Sequence, residues 1–186
     1  MILSSSIDYL SIEGLPWVLA AWVGLYAFRP FATLVHESGH FVTAFLLTRS
    51  LLVLLVGKTG KKYLYEGKRV RFAFSFRNAL EGQTTYSMEN VSSSTRVLIL
   101  FSGPLFSLGM SCLTGWLTLR SAHPVWLEIA GVSWFCANFL AFIRATLPMR
   151  LRPTEEFPDG PPSDGLQLFW LFSGKEQKGE SGRSTD

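Results

Sequence analysis

The chain reads as an α-helical integral membrane protein with about three core transmembrane helices and a small inserted β-sheet or hairpin region. Three observations lead there. Apolar residues make up 48% of the 186 residues, with fifteen Phe and six Trp, more than a soluble domain of this size usually carries. Three stretches, about 15–48, 95–119 and 125–147, are long, apolar and poor in charge. Between the first two, residues 51–93 change character, to short runs rich in Val, Leu, Tyr and Phe separated by turn signals.

Taken in order, residues 1–14 form a short N-terminal segment with no basic n-region and with Asp8 and Glu13, so a cleaved signal peptide is not expected. From Leu15 to Val35 there is no acidic residue, and Arg29 is the one basic residue. Phe41 to Leu47 continue the apolar run. At about 1.5 Å per helical residue, 15–48 exceeds the ~30 Å hydrocarbon core, and Pro30 is expected to kink it or divide it into two helical pieces. In 51–93, Gly57-Lys58-Thr59-Gly60 and Glu66-Gly67-Lys68 mark turns. Val70, Phe72, Phe74 and Phe76 alternate with Arg69, Arg71, Ala73, Ser75 and Arg77. That period of two predicts a strand in a small antiparallel sheet, which suits a solvated hairpin and a lipid surface equally well. The second span carries Ser102-Gly103-Pro104, residues that permit close helix approach and a bend. The third carries Glu128, Asn138 and Arg144. A Pro-rich stretch from Pro148 leads to Ser163-Asp164-Gly165 and an apolar run to Phe172, and 173–186 reads as a disordered polar tail.

A net charge of +3 gives no reason to expect nucleic-acid binding. Cys112 and Cys136 lie in apolar runs and read as packed thiols, neither a disulfide nor a metal pair. Basic residues cluster in 49–96 and again after the third span, whereas the opposite side holds Asp8, Glu13 and Arg120. By the positive-inside rule the sheet region and the C-terminus are cytoplasmic.

The chemistry concentrates at His36-Glu37-Ser38-Gly39-His40, which uses two of the three histidines. Residues four apart share a helix face, so His36 and His40 can present two imidazoles to one metal ion while Glu37 stands beside it. This H-E-x-x-H spacing supplies two zinc ligands and a general base. The plain alternative is a set of core polar groups satisfied by hydrogen bonds, at the cost of burying them without a metal. A catalytic zinc needs a third protein ligand. His123 falls on the outer side by the charge argument. Asp164 follows the third span on the same side as the motif, and Asp159-Gly160 is a nearby rival; a plain turn is the ordinary reading of either Asp-Gly pair.

With these residues in view, the sequence resembles the site-2 protease family of intramembrane zinc metalloproteases over about residues 15–172. His36-Glu37-Ser38-Gly39-His40 is similar to the family's H-E-x-G-H. Ser102-Gly103-Pro104 with Ser107 is similar to its small-Gly-Pro element, and Leu147-Pro148 with Asp164-Gly165 to its N-x-x-P and D-G element. Two departures stand out. Ala145 occupies the place of the family's Asn, and the interval from Pro148 to Asp164 is longer than the family's compact loop. The resemblance implies that Asp164 is the third zinc ligand.

The expected activity is hydrolysis of a peptide bond in or near a transmembrane segment of a membrane-protein substrate, with Glu37 moving the proton. The strand around Val70 to Phe76 is a candidate for holding an unwound substrate segment as an added strand. A different class, a catalytically silent membrane scaffold or binding protein that keeps the fold, is the main alternative, and a transporter ranks behind it. Partners are expected to be the bilayer and a transmembrane substrate. A bacterial-type plasma membrane suits a compact multi-pass chain of this kind.

Overall fold

A computed structural model describes residues 12–57, 63–76, 81–87, 91–120, 124–153 and 157–174. Three long helices form the frame: α1 (Leu15–Leu47), α2 (Ser93–Arg120) and α3 (Val125–Thr146). All three are long and apolar enough to cross a membrane. A short helix, α4 (Asp164–Ser173), closes the chain against α2 and α3. Helices are therefore present at the three expected stretches and at the Asp-Gly segment, each within one or two residues of its expected limits.

Pro30 lies inside α1, which runs as a single helix instead of two pieces. The missing N–H of Pro30 removes one helical hydrogen bond, and packing along both neighbouring helices holds the element together across it. The helix ends where Thr48 turns extended and returns its N–H and its hydroxyl to the Ala44 carbonyl, at 2.8 and 2.7 Å. The Arg69 guanidinium then donates to the carbonyls of Phe45 and Thr48, groups a helix end otherwise leaves unpaired.

The helices bury small and polar residues and turn their large apolar ones outward. Ala32, Ala44, Ser102, Ser107, Ser111, Ser133, Ala137 and Asn138 are buried, while Trp22, Tyr26, Leu105, Leu113, Trp126 and Leu140 are exposed. In water that arrangement is unfavourable. In lipid it is expected, because small interface residues let backbones approach and short hydroxyls bond across helices. Ser133, for example, donates from α3 to the Ala21 carbonyl of α1 at 3.0 Å. Cys136 is partly covered, whereas Cys112 is exposed and not packed as the sequence suggested; both are free thiols.

Between α1 and α2 the chain forms a four-stranded sheet from β1 (Leu52–Val56), β2 (Tyr65–Glu66), β3 (Val70–Phe74) and β4 (Gly82–Thr85), in the order β2-β3-β1-β4. It is mixed, not wholly antiparallel. β1 pairs in parallel with β3 (Leu52 opposite Val70) and antiparallel with β4 (Val56 opposite Gly82). Leu52, Leu54 and Val56 face inward, with Leu52 joining Ala44 and Ile99 in a small apolar core against α1 and α2. The alternation in β3 is real, yet its fully buried residue is Ala73, from the set opposite the phenylalanines. Phe74 and Phe76 lie against Phe31 of α1, ring centroids 6.1 and 6.0 Å away. The sheet thus runs alongside α1 and does not stand free in solvent.

Candidate metal centre

His36 and His40 project from one face of α1, as their spacing requires, and α2 crosses α1 at this level. The crossing is close because both helices carry glycine there. A Cβ on Gly39 would strike the Ser102 carbonyl, and one on Gly103 would strike the His40 imidazole. Ser102-Gly103-Pro104 is thus the surface on which the His40 ring rests.

The outer nitrogens of both rings are engaged. His40 Nδ1 lies 2.6 Å from the Ile99 carbonyl, which can only accept, so Nδ1 carries the proton. His36 Nδ1 lies 3.3 Å from Ser107 Oγ. Both Nε2 atoms then turn to a common point, 3.2 Å apart. Asp164, at the start of α4, meets them there: its Oδ2 is 3.0 Å from His36 Nε2 and 3.4 Å from His40 Nε2. The three ligand atoms lie within 4.8 Å of one another, and the group can hold a metal ion. In neutral imidazoles bonded outward through Nδ1–H, the facing Nε2 atoms offer lone pairs, as the carboxylate does. Three acceptors directed at one another call for a cation between them, and two imidazoles with one carboxylate are a donor set that suits zinc.

Asp164 reaches this point because Ser163 fixes the start of α4. The Ser163 hydroxyl donates to the Leu147 carbonyl at 2.5 Å and accepts from the backbone N–H of Leu166 and of Met149. Leu151 N–H bonds to the Pro161 carbonyl at 2.8 Å and Ser163 N–H to that of Met149 at 3.0 Å. The long interval from Pro148 to Asp164 is thereby closed at its base, so its extra residues do not move Asp164. Gly165 is required at the next position, since a Cβ there would strike the Thr146 carbonyl at the end of α3.

Glu37 is buried on the adjoining face of α1. Thr84 of β4 donates its hydroxyl to Glu37 Oε2 at 2.7 Å. The Gly82 backbone packs closely on the rest of the side chain: a Cβ there would sit 2.7 Å from Oε1 and 2.6 Å from Cγ, so only glycine fits. One carboxylate oxygen is anchored by Thr84, and the other lies against Gly82.

His36, His40 and Asp164 come together as the sequence suggested, with Glu37 beside them. Asp159 does not join them; it sits in an exposed turn closed by Gly160 N–H to the Phe157 carbonyl, with Gly160 at φ 81°. His123 lies outside the described residues, as do 1–11 and the tail from 175. The sequence reading missed Thr84 and the Ile99 carbonyl. Nothing in the run Gly82-Gln83-Thr84-Thr85 distinguishes the first of its two threonines, and a backbone carbonyl leaves no mark in sequence. β3 was the expected docking strand, yet it is flanked on both sides, by β1 and by β2. Among the described strands, β4 is the edge beside Glu37. No family model, no curated protein and no solved structure matches the chain.

Proposed function

We propose that this chain is an intramembrane zinc metalloprotease of the site-2 protease kind, hydrolysing a peptide bond in or near a transmembrane segment of a membrane-protein substrate. The observation that carries the reading is the pairing of a His-His-Asp ligand set with a neighbouring buried glutamate held through only one of its oxygens. A site built only to bind metal has no use for that second carboxylate.

His36, His40 and Asp164 would hold the zinc, which when bound supplies Lewis acidity towards a water molecule and a scissile carbonyl. Glu37 takes a proton from the attacking water on Oε1 and delivers it to the leaving amine as the C–N bond breaks. Thr84 keeps the carboxylate from rotating. The Ile99 carbonyl holds the His40 imidazole in the tautomer with its proton on Nδ1, and Ser107 bonds the outer nitrogen of His36.

A transmembrane helix conceals its peptide bonds in its own hydrogen bonds and must unwind locally before attack. β4 offers an edge to receive the unwound segment. Gly57 N–H bonds to the Glu81 carbonyl, and with Val56 opposite Gly82 the alternation turns the backbone groups of Gly82 and Thr84 away from β1. These free groups lie next to Glu37, so a segment added there passes the carboxylate. The distribution of basic residues supports a cytoplasmic C-terminus and a metal centre in the cytoplasmic half of the membrane.

The test is zinc content and cleavage measured together on detergent-purified protein. Wild type should carry about one zinc per chain and cleave a reporter with a helix-destabilised transmembrane segment, His40→Ala and Asp164→Ala should lose both, and Glu37→Gln should keep zinc and lose cleavage. A Glu37→Gln protein as active as wild type would overturn the proteolytic reading. A zinc-loaded wild type inert towards every transmembrane reporter would favour the scaffold instead.

A further inference from the structure

α4 presents one side to α2: Gly165, Leu168, Phe169 and Phe172 recur at the i, i+3, i+4, i+7 spacing of a single helical face. Phe101 and Pro104, three residues apart and so on one face of α2, stand opposite. Between these two faces and the end of α3 lies a cavity of about 310 Å³. Towards the metal centre its walls are Gly165, which has no side chain, and Pro104, which has only its ring, so the two helices do not fill the space between them.

That end of the cavity shares its backbone with the metal cage. Gly165 follows the ligand Asp164, and Pro104 follows Gly103, on which the His40 ring rests. The other end opens outward: Phe101, Phe169 and Phe172 are 47%, 54% and 74% exposed, whereas Pro104 and Leu168 are buried. The lining carries one side-chain hydroxyl, that of Thr146, and it is already engaged with the Phe142 and Ile143 carbonyls at 2.9 and 3.2 Å. A charged or amide side chain entering here gives up its water and gains no side-chain partner, which is costly. An aliphatic or aromatic one exchanges water for apolar contact. Apolar cavities of about 150 Å³ already admit benzene, so this one has room for a leucine or phenylalanine side chain.

We propose that this cavity selects the substrate, taking one large apolar side chain, leucine or phenylalanine, from a residue flanking the scissile bond. The assignment rests on the proteolytic reading of the metal centre and narrows it. A segment unwound beside Glu37 is extended, so its successive side chains turn in opposite directions. One that flanks the scissile bond and turns towards α2 and α4 enters the cavity while its backbone stays at the ligand atoms. Backbone pairing along β4 is blind to side chains, whereas the cavity reads one of them. Together they fix both the path of the segment and its register at the metal centre.

The full chain, purified in detergent with zinc, is given transmembrane reporters that differ only in the two residues flanking the scissile bond, which is located by mass spectrometry of the products. With leucine or phenylalanine at one of these positions, kcat/KM for wild type should be at least about tenfold above that for glycine. Thr146→Phe, which places a ring in the cavity, should bring the leucine and glycine reporters level at unchanged zinc content, and Leu168→Ala should favour phenylalanine over leucine. Leu113→Ala, at an exposed position of α2 outside the cavity, should leave the preference as it is. Equal kcat/KM for glycine and leucine at both positions in wild type, or a leucine preference that survives Thr146→Phe, would overturn the pocket and leave the protease. A second readout needs no cleavage: a succinyl hydroxamate carrying an isobutyl group, and its unsubstituted parent, are titrated into zinc-loaded Glu37→Gln protein by calorimetry. The isobutyl compound should bind at least about tenfold more tightly, and adding Thr146→Phe should remove the difference. That result with a wild type that cleaves no reporter would overturn the proteolytic reading alone, and equal binding of the two compounds would overturn the pocket.

Discussion

At the scale of single residues, the site separates the group that can hold a metal from the carboxylate proposed to move a proton. The ligand atoms of His36, His40 and Asp164 converge without help from the sheet, and their outer partners, Ser107 and the Ile99 carbonyl, both come from α2. Glu37 instead depends on β4, through the Thr84 hydroxyl. Replacing Thr84 with Val preserves its shape and removes one hydrogen bond to a charged group, worth about 1.5–3 kcal/mol. If that bond orients the general base, Thr84→Val should lower kcat for a transmembrane reporter by about tenfold or more while zinc content stays at the wild-type level. An equal loss of zinc and activity would show that Thr84 supports the fold and not the base. Of these residues, the two histidines and the glutamate were legible in sequence because helical periodicity alone brings them together. Thr84 was not: its role follows from a register between β1 and β4 that no local pattern encodes.

At the scale of elements, the helices were legible to within a residue or two, since length and apolarity are what lipid demands of them. The sheet was legible only as strands. Its parallel β1–β3 pairing joins segments with β2 between them in sequence, and period-two alternation cannot tell a parallel neighbour from an antiparallel one. What fixes the sheet in place is partly Arg69, just before β3. It donates to two carbonyls at the end of α1 and lies 4.4 Å from the Phe45 ring centroid. Two charge-assisted bonds of this kind are worth about 2 kcal/mol or more together, and for a chain of this size each kcal/mol moves Tm by roughly 2–4 °C. Arg69→Ala should therefore lower the Tm in detergent by about 5 °C. Arg69→Lys should recover only part of it, because one ammonium cannot reproduce the planar fork. A Tm unchanged in Arg69→Ala would mean that the small core of Ala44, Leu52 and Ile99 suffices to hold the sheet against the helices.

At the scale of the whole molecule, the fold has little conventional core. Its interior is small and polar, and its large apolar side chains face outward. Cohesion must come from close helix contact, from interhelical hydroxyls such as Ser133 to Ala21, and from the one cluster that ties the two ends of the fold together. That cluster joins α1 to α4 across 128 residues of sequence, from His36 to Asp164. Its third member was open in sequence between two Asp-Gly pairs. The choice is made by the closed base of the 149–163 loop, which is set by backbone pairing and by Ser163, not by the aspartates themselves. A metal ion held by both ends binds the folded state and not the unfolded one, so at a thousandfold excess over its dissociation constant it adds about 4 kcal/mol of stability. Stripping it with a chelator should lower the Tm of the wild type by about 10 °C, and readdition of zinc should restore it. Asp164→Ala should start near the lower value and respond weakly to either treatment, because α4 then no longer shares the ion with α1. A wild type whose Tm ignores chelator and zinc alike would mean that helix packing alone carries the fold and that the ion, if it binds, crosslinks nothing.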